Sequence, residues 1–280
     1  SGEATALSQR DRLQGGHLDG LLNIDKPAGM TSMDVVRRIK RASRQKRVGH
    51  GGTLDPLATG VIVISLGQAT RMMEFLIDGT REYRGQIELG VETDTYDAHG
   101  EVTARNDASS VTLLDVERAL GQFTGQIGQV PPMYSALKRQ GKRLYELARA
   151  GIEVEREPRQ VEVSDIEVLN WAPPIVELEV ACGRGFYVRS LAHDLGRALG
   201  CGGHLTSLIR LRSGPFGVAE AMALDDAEQA LADGTWNECV HAPKSERRRS
   251  PVCRLSPYRR WRFAATCGTN HALHGVYIVV

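Results

Sequence analysis

The sequence has little that would place it in a membrane. Its longest apolar run is about six residues, around Ile62, whereas a membrane-spanning helix needs roughly 20. The first twenty residues are polar and lack the apolar segment of a secretory signal. Hydrophobic residues still make up 41% of the chain, which excludes disorder throughout. We therefore expect a folded cytoplasmic protein that does not act at a membrane.

Cysteine is sparse, and its spacing is wide. The chain has five cysteines and no Cys-x-x-Cys pair, which favours reduced thiols in the cytoplasm over a disulfide framework. The residues nearest to a zinc-binding set are Cys239, Cys253, Cys267, His271 and His274. Because no two of these cysteines lie close together, the sequence predicts no metal centre.

Signatures of common cofactors are also missing. A glycine-rich stretch occupies residues 49–52, but no Gly-Lys-Ser/Thr follows it, so the phosphate-binding P-loop pattern fails. The acids Glu92, Asp94 and Asp97 do not have the spacing of a calcium-binding EF-hand. There is no dinucleotide-binding fingerprint. Any reaction that the protein catalyses is therefore expected to need no cofactor.

Charge is balanced overall but not locally. The net charge is +1, from 35 lysines and arginines against 34 acids. Residues 37–47 nevertheless carry seven bases and no acid, residues 138–149 five bases and one acid, and residues 244–262 eight bases and one acid. Each window alone fits a solvated face, but together they favour a polyanionic partner bound over a defined area.

The segment from Val48 to Val61 has the strongest chemical character. It reads Val-Gly-His-Gly-Gly-Thr-Leu-Asp-Pro-Leu-Ala-Thr-Gly-Val, so Asp55 lies among residues of little bulk. Pro56 biases Asp55 away from helical backbone, and residues 61–66 read as a buried strand. Asp55 is therefore either a turn or cap residue, or a functional acid on a stiff loop anchored in the core.

Several other segments have clear local signals. Residues 21–25 read as a strand, and Thr31 with Asp34 forms a capping box that begins a helix. Residues 83–89 alternate as a half-buried strand, and Thr112 with Asp115 caps a helix through Leu120. Two more strands are predicted at 161–169 and 175–182, followed by a helix with Arg189 in its first turn.

Residues 125–151 are predicted to form a mobile, positively charged lobe. Pro131 and Pro132 prevent regular strand pairing. The basic piece that follows contains Lys138, Arg139 and Lys142, and a short helix closes it. We expect this lobe to fold over nucleic acid.

Five of these segments, in order, resemble the motifs of the TruB family of tRNA pseudouridine synthases. They are the Lys-Pro-x-Gly-x-Thr-Ser run at 26–32, the Asp55 segment, the Thr-Asp-Thr-x-Asp run at 93–97, residues 182–190 and residues 202–216. The resemblance covers residues 21–216 and implies cofactor-free isomerisation of uridine to pseudouridine at tRNA position 55, in the T loop.

The resemblance also implies roles for individual residues. Asp55 would be the nucleophile, Tyr83 would pack under the target uracil and accept a proton, and Arg189 would pair with Asp55. The remaining site residues would bind or support the RNA: Tyr187 and Leu208 in the uracil pocket, His50 at the flipped loop, and Asp97, Lys26, Lys138, Arg139 and Lys142 as RNA contacts or structural support.

The expected fold is an α+β pseudouridine synthase fold, with a mixed, largely antiparallel sheet flanked by helices and loops. We expect a flexible leader at 1–19, a catalytic domain at 20–235 with residues 125–151 as a thumb-like insertion, and a short basic segment at 236–280. That last segment is either a reduced PUA-like domain or an unrelated tail. The partner would be the T arm of tRNA, bound by a monomer.

Two other functions fit the residues. One is an RNA-binding protein without catalysis that kept the scaffold. The other is a small-molecule phosphotransferase that uses the glycine-rich loop. Release of tritium from uracil C5 in tRNA separates all three.

Overall fold

The computed structural model describes residues 18–71, 73, 79–135, 137–139, 141–152, 154–235 and 276–277. In this part of the chain eleven strands form one sheet. They are β1 Gly20–Lys26, β2 Val48–His50, β3 Thr59–Leu66, β4 Arg81–Leu89, β7 Gly125–Gln129, β10 Arg159–Ala172, β11 Ile175–Cys182, β12 Gly203–Ser213, β13 Phe216–Gly217, β14 Met222–Ala223 and β15 Val276–Tyr277.

The order of the strands across this sheet is β14-β1-β3-β12-β4-β11-β10-β7, with β13 beside β12, β15 beside β1 and β2 beside β3. The β1–β14 and β3–β12 pairings are parallel, and the others are antiparallel.

Within the described ranges, two short hairpins and five α-helices accompany the sheet. The hairpins pair β5 Val91–Thr93 with β6 Val102–Arg105, and β8 Lys138–Arg139 with β9 Lys142–Arg143. The helices are α1 Ser32–Ser43, α2 Leu113–Leu120, α3 Leu144–Arg149, α4 Val188–Ala198 and α5 Leu224–Asp233. None of the described helices is long and apolar enough to cross a membrane. These strands and helices confirm the predicted α+β class with a mixed, largely antiparallel sheet.

The central strands form because their side chains suit burial. All but the first residue of β3 are buried, and β4 alternates between buried and more exposed positions along its length. The neighbouring strand β11 alternates in the same way, so one face of the sheet carries a continuous apolar core. This rigid layer holds the loops at its edge in place.

Gly60 permits the parallel contact between β3 and β12. It has φ +92°, and a Cβ there would lie 2.3 Å from the backbone oxygen of Arg210. Only glycine tolerates both conditions. The close approach brings β12 beside the loop that carries Asp55.

The predicted local signals are largely confirmed. Thr31 and Asp34 form the expected capping box on α1, and Thr112 and Asp115 form the one on α2. The strand predicted at 161–169 is longer, because β10 pairs with β7 on one side and β11 on the other. The catalytic domain expected at 20–235 contains the main sheet, apart from β15.

Most of the predicted terminal segments lie outside the described residues. This holds for residues 1–17 of the leader and for the PUA-like or tail segment, except Val276–Tyr277, which pairs with β1. Of the residues predicted as leader, Leu18 is buried, and Asp19 accepts a hydrogen bond from the Gln68 backbone N–H.

Candidate active site

The loop between β2 and β3 holds Asp55 on a fixed backbone. The Ser32 hydroxyl, at the start of α1, donates to the carbonyl of Leu54 at 3.1 Å and accepts from its N–H at 2.8 Å. The Gly29 N–H donates to the Pro56 carbonyl at 2.8 Å, and Leu54 itself is buried. The acid therefore projects from a loop fastened to the turn before α1 and to the core.

Arg189, in the first turn of α4, binds the Asp55 carboxylate with two hydrogen-bond donors. Its Nε and Nη2 donate to Oδ2 and Oδ1 of Asp55 at 2.8 and 2.9 Å. Such a parallel, bidentate pair is the strongest arrangement of these groups and fixes their orientation. The Arg189 side chain is only 3% exposed, but that of Asp55 is 31% exposed. Arg189 thus binds the carboxylate from the buried side, and the other side of the carboxylate remains open to a ligand.

Arg189 makes two further hydrogen bonds, both to backbone carbonyls. Nη1 donates to the Thr95 carbonyl at 3.0 Å, and Nη2 donates to the Tyr134 carbonyl at 2.8 Å. Asp97 lies 3.6 Å from Nε. Since three separate loops meet at one guanidinium, its position is set by all of them.

A cavity of about 380 Å³ opens beside this pair. That size lies within the range of small-ligand pockets. Its lining includes His50, Asp55, Tyr83, Tyr187, Arg189 and Leu208, together with Arg81, Arg184, Phe186 and Arg210. Among the described lining residues, Asp55 alone carries a carboxylate, so the acid faces an otherwise basic and apolar wall.

Strands β4 and β12 supply one wall of the cavity. Tyr83 pairs in register with Arg210, and Gly85 with Leu208. Tyr83 is only 7% exposed, and it lies next to the Arg210 guanidinium in the sheet. Burial lowers the pKa of Arg210, while the adjacent Tyr83 raises it. A flat ring and a buried cation thus lie side by side on the cavity wall.

The turn before α4 supplies another part of the cavity lining. Burial raises the pKa of the Tyr187 hydroxyl above its usual value, so this phenol is neutral near pH 7. The Gln129 side chain hydrogen-bonds both backbone groups of Tyr187, accepting from its N–H at 2.8 Å and donating to its carbonyl at 3.0 Å. The Tyr187 backbone is therefore held in place by a strand 58 residues earlier in the chain.

Two predicted substrate-binding residues lie away from the cavity surface. Lys26 is fully buried, and its Nζ donates to the Pro27 carbonyl at 2.8 Å. Burial lowers the pKa of Lys26 to about 8, against the opposing effect of Asp55. Asp97 is 6% exposed and accepts from the Thr95 hydroxyl at 2.7 Å and the His99 N–H at 3.0 Å. Of the two roles expected for these residues, direct RNA contact does not fit their burial, whereas structural support does.

For the predicted lobe the structure describes mainly the backbone. Lys138, Arg139 and Lys142 lie on the β8–β9 hairpin, and their side chains lie outside the described residues. The short helix α3 follows. The predicted order of a basic turn and a closing helix is therefore present.

Sequence reasoning missed several residues at the cavity, of which Arg210 is the clearest. It is 1% exposed and donates to the Val61 carbonyl at 2.6 Å and the Gly52 carbonyl at 3.3 Å. The sequence contained a signal for Arg210, because side chains two positions apart in a strand lie on the same face and Arg210 follows Leu208 by two. The sequence contained no such signal for Gln129, because its hydrogen bonds are made to Tyr187, which is distant in the chain.

Two family models match the sequence. The family model "TruB family pseudouridylate synthase (N terminal domain)" matches residues 40–188, and "tRNA pseudouridylate synthase B C-terminal domain" matches residues 189–242. Both matched regions contribute strands to the same sheet.

Individual relatives agree with the family match. The tRNA pseudouridine synthase B of Dehalococcoides mccartyi strain CBDB1 is 52% identical over 217 residues, which are 78% of this chain and 72% of that protein. The protein of the same name from Symbiobacterium thermophilum is 52% identical over 212 residues, 75% of this chain and 71% of that protein. The crystal structure of a Cbf5-Nop10-Gar1 complex contains a chain that is 32% identical, with a TM-score of 0.61, over 82% of this chain and 57% of that one.

Proposed function

The chain belongs to the TruB family of pseudouridylate synthases, and we propose that it isomerises uridine to pseudouridine in the T loop of tRNA, at position 55. One observation carries this proposal. The only carboxylate among the described cavity-lining residues is held by a bidentate arginine, with one side open to a ligand.

The reaction requires the uracil to be detached, turned and reattached. The N1–C1′ bond breaks and a C5–C1′ bond forms, while C5 loses a proton and N1 gains one, so that no other reactant is consumed. We assign Asp55 as the nucleophile that supports this exchange. Attack at C1′, attack at C6 and assistance of a glycal route are all consistent with its position.

The surrounding residues suit an everted pyrimidine. In this proposal Arg189 orients Asp55, and Tyr83 would stack on the uracil and accept the C5 proton. Tyr187 and Leu208, which line the cavity, would form the base pocket. His50, at the cavity edge, would contact the flipped RNA loop. Extruding the base costs a few kcal/mol, which binding of the RNA backbone by basic surfaces would offset.

We further propose that the protein acts as a cytoplasmic monomer without metal or cofactor. All of the residues assigned to the reaction belong to a single chain. Among the described residues no group of histidine, cysteine or acid side chains is arranged to hold a metal ion. Turnover that survives exhaustive dialysis against a chelator, by protein that sediments as a monomer, would support this assignment.

The decisive experiment uses tRNA transcript labelled with tritium at uracil C5. Wild-type protein is expected to release the label, whereas an RNA-binding protein without catalysis would only bind and a phosphotransferase would ignore the RNA. Asp55→Asn should abolish release while tRNA affinity stays within about tenfold, since the nucleophile is lost but the RNA-binding surface is kept.

Asp165→Asn is the matched control. It makes the same chemical change at an exposed position on β10, and it should keep wild-type turnover. Retained turnover in Asp55→Asn would remove Asp55 from its assigned role.

A further inference from the structure

The basic segment at residues 37–47 consists of two groups with different surroundings. Arg37 pairs with Asp34 on its own helix at 2.5 Å. Arg38 pairs with Asp225 at 2.6 Å and with Glu228, both on α5. These two arginines are satisfied within the protein, and Arg38 fastens α1 to α5.

The other five cations have no such partners. All five are exposed, and within the described part of the chain none makes an ion pair or a side-chain hydrogen bond. The helix dipole favours cations in the last turn of α1 but not beyond it, where three of the five lie. We call these five residues the α1–β2 basic surface: Lys40, Arg41, Arg44, Lys46 and Arg47.

This surface continues into the candidate active site. Arg47 directly precedes β2, and its carbonyl accepts from the Gly67 N–H at 2.9 Å, which holds the backbone in place. His50, at the end of β2, lines the cavity. Three residues of extended chain span about 10 Å, so the surface begins roughly that far from the cavity wall.

The side chains in this surface suit phosphate rather than bases. Residues 37–47 contain no aromatic side chain on which a base could stack. Lysine and arginine contacts to phosphate position a nucleic acid without reading its sequence. The cavity lining carries further arginines, so positive charge extends from the end of α1 to the reacting site.

We propose that the α1–β2 basic surface binds the phosphodiester backbone of the RNA strand next to the everted nucleotide. This inference rests on the proposed function and adds a location for the RNA backbone. The paired residues Arg37 and Arg38 are excluded from this surface, although they belong to the same run of sequence.

The test compares RNA affinity in an Asp55→Asn background, where no turnover occurs. Arg41→Gln, Lys46→Gln and Arg47→Gln are combined, and a T-arm stem-loop RNA is titrated at several salt concentrations. Each lost phosphate contact lowers the slope of log K against log salt by about 0.7–0.9. We expect a slope shallower by about 2 and an affinity lower by at least about tenfold.

Arg37→Gln is the matched control, since it removes the same charge from an exposed position of the same helix. It should bind RNA within about twofold of the parent, whereas Arg41→Gln alone should bind more weakly and with a smaller salt slope. Equal effects of the two single changes would show that net charge, not this surface, matters.

Two further results would overturn the proposal. One is a triple variant with unchanged affinity and salt slope, provided that its melting temperature shows a folded protein. The other is a triple variant that loses binding to vesicles rich in phosphatidylserine but keeps RNA affinity, which would assign the surface to an anionic membrane. Failure of the unmodified protein to release tritium would instead count against the proposed function, and the binding data would still judge the surface separately.

Discussion

At the scale of single residues, the site depends on buried ionic and polar groups with specific partners. Arg189 joins Asp55 to the backbone carbonyls of Thr95 and Tyr134. A lysine could not replace it, because a single ammonium lacks the planar fork that makes these contacts together. The exposed face of Asp55 is the consequence of this support from behind.

Lys26 is expected to make stability depend on pH in alkaline solution. Burial lowers the pKa of Lys26 from 10.5 to about 8 in the folded protein. Between these values the unfolded chain binds more protons than the folded one, so the free energy of unfolding rises with pH in that window. The unfolding free energy of the wild type, minus that of Lys26→Met, should therefore become more positive by up to about 3 kcal/mol from pH 7 to pH 10.5.

Urea denaturation of both proteins across this range measures the difference. Lys40→Met, which removes an exposed lysine, is the control and should follow the wild-type profile. A difference that stays constant with pH would show that Lys26 is charged in the folded protein throughout the range.

At the scale of elements, the start of α4 is held by the segment that follows β7. No side chain caps α4 at its first residue. Instead Gln129 pairs with the Tyr187 backbone, and the Ser190 hydroxyl donates to the Val130 carbonyl at 2.7 Å. Because Arg189 lies between these two contacts, the base of the predicted lobe helps to position the pair of Asp55 and Arg189.

Gln129→Met is expected to impair both stability and turnover. It keeps the size of the side chain but removes both hydrogen bonds to Tyr187, and each buried backbone group left without a partner costs about 1–3 kcal/mol. A shift of the α4 start by about 1 Å would lower kcat by roughly 100-fold. Denaturant unfolding and tritium release measure the two effects.

The same substitution at Gln126 provides the control. Gln126 lies on the same strand but is exposed, so Gln126→Met should change neither quantity appreciably. If Gln129→Met kept full turnover, Gln129 would have no positioning role.

At the scale of the whole molecule, one sheet carries the site. The Asp55 loop precedes β3, Tyr83 lies on β4, Leu208 and Arg210 lie on β12, and α4 packs against β12. The hairpin β8–β9 and α3 project from the chain between β7 and β10. The proposed RNA contacts therefore come from two separate segments of the chain, one after β1 and one between β7 and β10.

Charge reversal at Lys138, Arg139 and Lys142 tests the proposed thumb-like lobe. Changing all three to glutamate should weaken tRNA binding and flatten its salt dependence by about 2–3 in slope, because three phosphate contacts are lost. Asp55→Asn, which removes a charge without a phosphate contact, should keep the full slope. An unchanged slope in the triple variant would refute the role of the lobe in RNA binding.

Local patterns in the sequence predicted the strands and the helix caps, and its motifs singled out Asp55. Alternation of apolar residues predicted β4 and β11, and side-chain chemistry predicted the capping boxes of α1 and α2, because these signals act between neighbours in the chain. The resemblance of five short motifs pointed to Asp55 and to the family before any contact was known.

The folded structure, by contrast, determines which charged groups are buried and which are free. Lys26 and Asp97 have the polar character of surface residues, yet the fold buries both. Likewise, Arg38 and Arg41 are equivalent by spacing, but Arg38 meets Asp225 and Glu228 across the fold. The ion-pair partners of Arg38 lie 187 and 190 residues away in the chain, and no local pattern contains that information.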